Sequence, residues 1–346
     1  MFGDVEEVVR ERSDYPISKI KSLLGNDTLA VLGYGPQGRG QALNARDHGL
    51  DVIIGLREGG SSYAQALRDG WIPGKTLVPV VDAAKKGSVV MYLLSDAGQK
   101  DMWSAIKPAL TPGKTLYFSH GFSIVFSKDT GVVPPKDVDV VLVAPKGSGY
   151  TLRTLFLEGR GLNSSVAIHQ NVSGKAEDRA YALATAVGSG YMYETTFQKE
   201  VFSDLTGERG VLMGGIQGLF QAQYDVLRAK GHSPSEAFNE TVEEATQSLY
   251  CLIGEKGMDF MFANCSTTAQ RGALDWWKSF YNVSKPVFEK LYSEVENGNE
   301  ARRTLEKNSD KNYRQELEKE LEELRNGEMW RVGKVVRSLR PENQKK

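Results

Sequence analysis

The period of the apolar positions divides the chain into two parts. In the first, short runs rich in Val, Ile and Leu, bounded by Gly, Pro or Asp, alternate with stretches of helical periodicity. Such runs are typical of buried strands. Because the strands are almost continuously apolar and alternate with helices, we expect a parallel sheet covered on both faces. The predicted strands lie within 28–35, 50–57, 88–94, 114–121, 137–145 and 164–170, and two predicted helices are Gln37–His48 and Ala97–Leu110.

The pattern changes near residue 190. From Gln198 onward, long stretches with the 3.6-residue period of helices follow one another. Ser233, Pro234 and Glu236 form the pattern of a helix start, with an N-cap, a first-turn proline and a capping-box acid. We therefore predict an α/β domain of Rossmann type over residues 1–195 and an all-α domain over residues 196–346.

Composition and charge disfavour several classes of protein. Of the 346 residues, 40% are hydrophobic and 25% are charged, which is typical of globular proteins. No apolar run approaches the roughly 18 residues of a membrane span. The net charge of −1 disfavours a dedicated nucleic-acid binder. We therefore expect neither a membrane nor a nucleic acid as a partner.

The compartment is predicted from the first residues and the cysteines. The stretch MFGDVEEVVRER has no apolar signal segment, and its acids are atypical of a mitochondrial leader. The two cysteines, Cys251 and Cys265, are typical of reduced thiols. These features predict a cytoplasmic protein.

A glycine motif, GYGPQG at 33–38, directly follows a predicted strand and opens a helix. This is the G-x-G-x-x-G pattern of dinucleotide-binding turns in the context that it requires. Gly33 permits the tight turn, Gly35 permits a pyrophosphate to approach the backbone, and Gly38 permits close helix–strand packing. A glycine-rich turn without a ligand is the less favoured alternative. The residues assigned to cofactor binding are Gly33, Tyr34, Gly35, Gln37 and Gly38.

The next predicted strand ends where a dinucleotide places its adenosine ribose. Glu58 could bind the ribose hydroxyls, as an acid does in NAD enzymes. Arg57, with the hydroxyls of Ser61 and Ser62, is better suited to a 2′-phosphate, which accepts charge-assisted hydrogen bonds. We therefore predict NADPH as the cofactor, bound by Arg57, Ser61 and Ser62. A solvated polar loop is the alternative.

The helical part contains two pairs of acids at a spacing of four, Asp204 with Glu208 and Glu240 with Glu244. On a helix, residues i and i+4 share a face, so each pair can direct two carboxylates to one place. Four oxygen donors without a cysteine suit Mg²⁺ or Mn²⁺ better than Zn²⁺. Such pairs are also common on solvated helices, so the residues alone leave both interpretations open.

Several motifs follow one another in a characteristic order along the chain: GYGPQG at 33–38, FSHGF at 118–122, VLVAPKGSG at 141–149, ETTF at 194–197, SDLTGERG at 203–210, ETVEE at 240–244 and CSTTAQRG at 265–272. Together these motifs resemble one family, the ketol-acid reductoisomerases, also called acetohydroxyacid isomeroreductases. The resemblance extends from residue 14 to residue 343, and the chain length is similar to that of the shorter class with a single helical domain.

The resemblance implies a two-step reaction in valine and isoleucine biosynthesis. A Mg²⁺-dependent alkyl migration in 2-acetolactate or 2-aceto-2-hydroxybutyrate is followed by reduction with NADPH to the 2,3-dihydroxy acid. It also implies that the helical domain is knotted, an exception to the usual unknotted connections. A homodimer or higher homo-oligomer is implied, with active sites shared between subunits.

The same resemblance implies the roles of the site residues. Two Mg²⁺ ions would be bound by the four acids Asp204, Glu208, Glu240 and Glu244, with Asp204 bridging them. Glu244 would also move a proton on the substrate hydroxyl. The first acid pair would come from one subunit, and the second pair, with Ser266, from its partner.

Three further residues are assigned in this way. Lys146 would organise a metal-bridging water or a carboxylate, and Ser266 would hydrogen-bond the substrate carboxylate. His120 follows a strand at the sheet edge where open α/β sheets bind ligands. The alternatives are a satisfied turn histidine, a surface lysine and a helix N-cap.

The chain departs from the commonest family wording at Thr206 and Arg209, where Phe and Gln are frequent, and in ETVEEA and STTAQRG. None of these changes removes a carboxylate or the serine, so they concern only their neighbours. Two other functions stay open on the residues alone. These are a metal-free NADP-dependent 3-hydroxyacid dehydrogenase and a non-catalytic NADP-binding protein, and the acid pairs argue against both.

Overall fold

The computed structural model describes residues Met1–Gln344, so the last two residues of the predicted second domain, Lys345 and Lys346, lie outside the described part. The chain divides into two compact units, Met1–Ser203 and Asp204–Lys346. The division falls inside a helix, Phe197–Arg209, which begins in the first unit and ends in the second. The units are therefore joined by a continuous helix.

A nine-stranded sheet forms the centre of the first unit. Its strands are β1 Val9–Arg10, β2 Thr28–Leu32, β3 Asp51–Gly55, β4 Leu77–Val78, β5 Val89–Tyr92, β6 Thr115–Phe118, β7 Asp139–Pro145, β8 Leu162–Gln170 and β9 Ser189–Glu194. Their order in the sheet is β1-β9-β8-β7-β6-β5-β2-β3-β4. Five of the predicted regions contain β2, β3, β5, β6 and β7, and the sixth overlaps β8, which begins two residues earlier. Strands β1, β4 and β9 were not predicted.

The predicted parallel sheet is confirmed from β4 to β7, where each neighbouring pair of strands is parallel. Beyond β7 the direction changes, because β8 pairs antiparallel with β7, and β9 is parallel to β8. An apolar run indicates burial but not strand direction, since both pairings satisfy the backbone hydrogen bonds. The sequence pattern could not show this reversal.

Helices cover both faces of the sheet, and alternate strand residues contribute to two separate clusters. The helices of this unit up to residue 186 are α1 Ile17–Leu24, α2 Pro36–Asp47, α3 Ser61–Arg68, α4 Val80–Lys86, α5 Asp96–Ile106, α6 Phe122–Val125, α7 Ser127–Thr130, α8 Gly149–Leu157 and α9 Ala176–Ala186. Val31 packs in the cluster with α1, α2, α3 and α9, whereas its neighbour Leu32 packs in the cluster with α4, α5 and α6.

The remaining described chain is helical, as predicted. The capping box is present at α12, where Ser233 and Glu236 exchange hydrogen bonds with each other's backbone. Two consecutive stretches, Asn239–Glu243 and Ala245–Leu249, are π-helical. The helices are α10 Phe197–Arg209, α11 Gly214–Ala229, α12 Pro234–Phe238, α13 Tyr250–Lys256, α14 Met258–Ala263, α15 Thr267–Glu296, α16 Asn299–Asn308, α17 Tyr313–Asn326 and α18 Glu328–Leu339.

Two further expectations concern the whole chain. Within the described residues, none of the helices combines the length and apolar character that crossing a membrane requires. The knot implied by the family resemblance stays a prediction.

Candidate active site

The glycine motif forms a tight turn between β2 and α2. Gly33 has a φ of +101°, which other residues rarely adopt, and a Cβ there would lie 2.6 Å from the Leu93 carbonyl oxygen. A Cβ at Gly38 would lie 2.4 Å from the Gly33 carbonyl oxygen. At Gly35, the N-cap of α2, a Cβ would meet no atom within 4 Å. The fold itself therefore requires the outer two glycines, whereas Gly35 leaves space that a ligand can occupy.

A cavity of about 480 Å³ lies beside this turn, between α2, α3 and the start of α8. Its wall includes Gly35, Ser61, Ser62 and Arg68. Arg57, which was expected to bind the cofactor, lies on the exposed loop and does not line this cavity. The structure therefore places both predicted serines at the cavity, with a different arginine.

The two arginines in the cavity wall differ in their pairing. Arg39 binds both carboxylate oxygens of Asp69, at 2.7 and 2.9 Å, and the Tyr34 hydroxyl donates to the same carboxylate. Burial would raise the pKa of Asp69, but the hydrogen bonds from Arg39 and Tyr34 lower it below its usual value. Arg68 instead donates to the neutral Gln65 amide at 2.6 Å. Arg68 is therefore the cation better able to bind an anion in the cavity.

A second cluster surrounds Glu200, a buried acid of α10 that is only 2% exposed. Nδ1 of His120 and the Gly121 N–H each donate to its Oε2 at 3.2 Å, and Lys146 Nζ donates to its Oε1 at 3.2 Å. His120 follows β6 and Lys146 follows β7, so adjacent parallel strands bring both side chains to one sheet edge. Both side chains share a buried partner there, and their catalytic roles stay predictions.

The carboxyl group of Glu200 is held ionised. Burial by itself would raise its pKa, but the hydrogen bond and charge of His120, the charge of Lys146 and the Gly121 N–H together lower it below its usual value. The structure therefore has a buried negative charge between two groups that carry or exchange protons.

Glu200 was not among the predicted site residues. It lies four residues before Asp204, and Asp204 lies four before Glu208, so one face of α10 carries three acids. This extended spacing was present in the sequence. The burial of Glu200, which distinguishes it from a solvated acid, was not.

Asp204 is brought close to this cluster by the continuous helix α10. His120, Glu200 and Asp204 each offer one ligand atom, and these atoms lie within 4.8 Å of one another. In the described part of the chain, this is the one group of three or more His, Cys, Asp or Glu side chains that meets this condition. Glu208 lies outside this group, with its carboxylate 3.7 Å from Arg209.

Of the second predicted acid pair, Glu240 lies in the first π-helical stretch and Glu244 lies between the two stretches. Glu240 and Glu244 are both exposed, and the structure does not group them with the other ligands. Between them, Glu243 is buried and forms an ion pair with Arg340 at 2.7 Å. π-Helical turns are rare and frequently lie at functional sites. A single chain therefore assembles only part of the predicted metal site.

Ser266 has a structural role in the single chain. It is the N-cap of α15, and its hydroxyl oxygen accepts a hydrogen bond from the Ala269 N–H at 3.2 Å. The hydroxyl can still donate its own proton, and the side chain is exposed. The N-cap alternative is therefore correct, and a contact with substrate stays a prediction.

Comparison with known proteins identifies the family. Residues 23–192 match the acetohydroxy acid isomeroreductase NADPH-binding domain, and residues 197–342 match the ketol-acid reductoisomerase C-terminal domain. The chain belongs to the ketol-acid reductoisomerase family. This membership confirms the enzyme class and the Rossmann-type α/β domain followed by a helical domain. It sets aside the metal-free dehydrogenase and the non-catalytic binding protein.

The similarity to individual family members covers almost the whole chain. A probable mitochondrial ketol-acid reductoisomerase of Schizosaccharomyces pombe is 64% identical, with 99% of this chain and 85% of that protein covered. The mitochondrial enzyme of Saccharomyces cerevisiae is also 64% identical, with 99% and 87% covered. A ketol-acid reductoisomerase (NAD(+)) of Desulfosudis oleivorans is 58% identical, with 100% and 98% covered. The structure of an NADH-preferring ketol-acid reductoisomerase from an uncultured archaeon superposes with a TM-score of 0.84 at 34% identity, with 96% and 99% covered.

The prediction of a cytoplasmic protein is wrong, because both of the 64% identical relatives are mitochondrial by name. The prediction depended on acids near Met1. Those acids describe only that stretch of the reductoisomerase and do not indicate the compartment in which it works.

Proposed function

We propose that this reductoisomerase converts 2-acetolactate or 2-aceto-2-hydroxybutyrate into the corresponding 2,3-dihydroxy acid, using NADPH and two Mg²⁺ ions. The observation that supports this most directly is the buried Glu200 between His120 and Lys146, one helical turn before Asp204. The cluster concentrates proton-transferring groups beside a carboxylate that can bind a metal.

The reaction requires two chemical changes at adjacent carbons. In the first, the C2 hydroxyl loses a proton, and the alkyl group moves from C2 to C3 with its bonding electrons. The C2 oxygen then forms a ketone, and the former C3 ketone oxygen takes up a proton. In the second, a hydride is added to C2 and a proton to its oxygen. Both changes need stabilised negative charge on oxygen and a route for protons.

Bound Mg²⁺ would supply the Lewis acidity that polarises the C2 and C3 oxygens. Carboxylate oxygens are the ligands that Mg²⁺ prefers, and Asp204 and Glu208 on one face of α10 fit this preference. Glu240 and Glu244 would complete the set. Glu244 would in addition accept or return the proton of the substrate hydroxyl.

The first unit supplies the other groups. His120 and Lys146 keep Glu200 ionised, and the ammonium group of Lys146 has further N–H donors for a water or a substrate oxygen. Ser266 would donate to the substrate carboxylate. In this proposal, Glu200 holds the His120 and Lys146 side chains in position while the aspartate and glutamates bind metal.

We further propose that a second copy of the chain supplies Glu240, Glu244 and Ser266. All three are exposed, and among the residues that the structure describes the two acids join no metal-binding group. Helix α15, which Ser266 caps, exposes Trp276 and Trp277 to 65% and 49%. Large exposed apolar surfaces mark contact sites, so these observations support a homodimer or higher homo-oligomer with shared sites.

For the cofactor, we propose NADPH. The cavity beside Gly35 contains the hydroxyls of Ser61 and Ser62 and the guanidinium of Arg68, which together suit a 2′-phosphate. We keep Gly33, Tyr34, Gln37 and Gly38 as cofactor-binding residues, because they belong to the same turn and helix start as Gly35. Arg57, on the exposed loop, would reach the phosphate or the adenine from outside the cavity.

The test is NADPH oxidation by the purified full chain with 2-acetolactate and Mg²⁺, repeated after EDTA and with NADH. Turnover that requires the metal and prefers NADPH supports all three parts of the proposal. Metal-independent turnover would contradict the carboxylate site, and a preference for NADH would contradict the cofactor assignment. With metal and either nucleotide, absence of product would refute the reaction.

A further inference from the structure

A fully buried glutamine lies beneath the turn that carries His120. Gln41, on α2, is 0% exposed, and a buried amide costs free energy unless its polar groups are hydrogen-bonded. Its Oε1 accepts from the Tyr117 hydroxyl at 2.8 Å. Its Nε2 donates to Ser119 Oγ at 2.7 Å and to Gln37 Oε1 at 3.0 Å. Three partners therefore hold this side chain in one orientation.

The partners also fix which end of the amide faces which residue. The Gly147 carbonyl can only accept, so Gln37 directs its Nε2 to Gly147 and its Oε1 to Gln41. Gln41 must therefore present its Nε2 to Gln37, which leaves its Oε1 to accept from the Tyr117 hydroxyl. The amide nitrogen then faces Ser119, whose oxygen accepts. Ser119, which is half-buried and directly follows β6, also interacts with the Tyr117 hydroxyl.

These bonds close a ring with the Glu200 cluster. Gln37 Nε2 donates to the Gly147 carbonyl oxygen at 2.9 Å. Gly147 follows Lys146 in the chain, and Ser119 precedes His120. His120 and Lys146 both bind Glu200, so the turn that carries His120 and the turn that carries Lys146 are connected in two ways. One connection is through Glu200 on α10, and the other is through the two glutamines on α2.

We propose that Gln41 is a positioning residue for the reductoisomerase reaction, which fixes the spacing between the His120 turn and the Lys146 turn. This inference rests on the proposed function. Lys146 has a long, flexible side chain, so its bond to Glu200 cannot by itself fix the backbone from which it extends. Through Gln37, Gln41 is connected to the Gly147 carbonyl in the backbone of the Lys146 turn. It also binds Ser119, the residue before His120, directly. It therefore sets the geometry in which the His120 and Lys146 side chains reach Glu200.

A second buried amide on the same helix provides the comparison. Asn44 is also 0% exposed, and both ends of its amide are hydrogen-bonded. Its Nδ2 donates to the Val187 carbonyl oxygen at 2.8 Å, and its Oδ1 accepts from Arg153 at 2.8 Å. Neither partner belongs to a catalytic turn. Replacing Asn44 therefore tests the loss of a buried amide from α2 without a change at the site.

The experiment compares Gln41→Met with Asn44→Leu in steady-state assays with 2-acetolactate, NADPH and Mg²⁺. Both should lower the melting temperature, but only Gln41→Met should lower kcat, by about 10- to 100-fold as expected for a small displacement of catalytic groups. The KM for NADPH should change by less than about threefold, because the groups that bind it remain. Equal losses of kcat in the two variants would overturn the inference.

Ser119→Ala tests whether Gln41 acts through the His120 turn. The single substitution should reproduce most of the fall in kcat, and the Gln41→Met/Ser119→Ala pair should fall no further. Independent, additive effects would contradict the inference. Ser119→Ala also replaces the first test if Gln41→Met does not fold.

A spectroscopic measurement decides the inference without turnover. The chain has four histidines, so ¹⁵N-histidine labelling gives a simple spectrum, with His120 assigned from His120→Gln. The Nδ1 signal of His120 should shift in Gln41→Met and stay unchanged in Asn44→Leu. An unchanged signal in Gln41→Met would refute the inference. A wild-type chain without turnover would instead refute the proposed function.

Discussion

The first and second units differ in where their apolar side chains lie. In the first unit, the sheet is covered on both faces by its own helices, and Val31, Leu32 and Tyr92 are completely buried. In the second, the 30-residue helix α15 has Val295 as its buried residue. A sheet can bury both faces within one chain, whereas a long helix whose apolar side chains stay exposed requires another surface. The first unit therefore buries its sheet within its own chain, whereas α15 of the second unit leaves most of its apolar side chains exposed.

The largest expected effect tests whether a residue of the second unit, Asp204, takes part in catalysis. Asp204→Asn removes the carboxylate charge beside Glu200, so both steps should fall by about 100- to 1000-fold, as when a group that stabilises developing charge is removed. The measurement is turnover of 2-acetolactate, with Mg²⁺ affinity followed by calorimetry. The control is Asp225→Asn on the exposed side of α11, which should keep full activity. Isomerisation that survives in Asp204→Asn would show that the metal assignment is wrong.

The next effect tests whether the exposed apolar surface of α15 is a contact between two copies of the chain. Trp276→Asp with Trp277→Asp places charges on the apolar surface of α15, so self-association should weaken by about 30-fold or more, as for interface hot spots. Activity should fall in parallel at low protein concentration, because a shared site needs both copies. Analytical ultracentrifugation measures the association. In the first unit, Leu157→Asp makes a comparable change at a residue 66% exposed and should leave association unchanged. Full activity in a monomer would refute the shared site.

A smaller effect tests whether the first unit alone selects the cofactor. Ser61→Asp places a carboxylate in the cavity wall, where it repels a 2′-phosphate, so the KM for NADPH should rise by about tenfold while NADH is affected less. Arg68→Ala should act in the same direction. Ser235→Asp makes the same change in the second unit and should have no effect. An unchanged ratio of NADPH to NADH efficiency would contradict the phosphate site.

The smallest expected effect concerns stability in the first unit. Its neighbours lower the pKa of Asp69 below the unfolded value, so the stabilisation is present above the unfolded pKa and is lost as pH falls through the folded pKa. Asp69→Asn should therefore cost on the order of 1 kcal/mol at neutral pH, since the partly exposed Arg39 is screened, and less at acidic pH. Melting temperatures from pH 7 to pH 3 measure this. Asp4→Asn, at an exposed position, should show no such trend.

The sequence determined much of the architecture. The periods of the apolar residues predicted six strand regions and the helical second unit, because burial of strands and helices depends mainly on local patterns. The spacing of Gly33 and Gly38 predicted a tight turn, and the structure leaves no room for a side chain at these two positions. The spacing of the acids on α10 was enough to select Asp204 and Glu208, but Glu200 on the same face was missed.

The tertiary structure decided what depends on distant residues. The reversal at β8 could not be predicted, because apolar strands pair in either direction. Glu200, Gln41 and Arg68 resemble ordinary polar residues in the sequence. Only folding shows that the first two are buried and hydrogen-bonded to the turns that carry His120 and Lys146, and that the third lines the cavity in place of Arg57. Local periodicity determines which face of an element is buried, but which groups meet there depends on contacts between residues far apart in the chain.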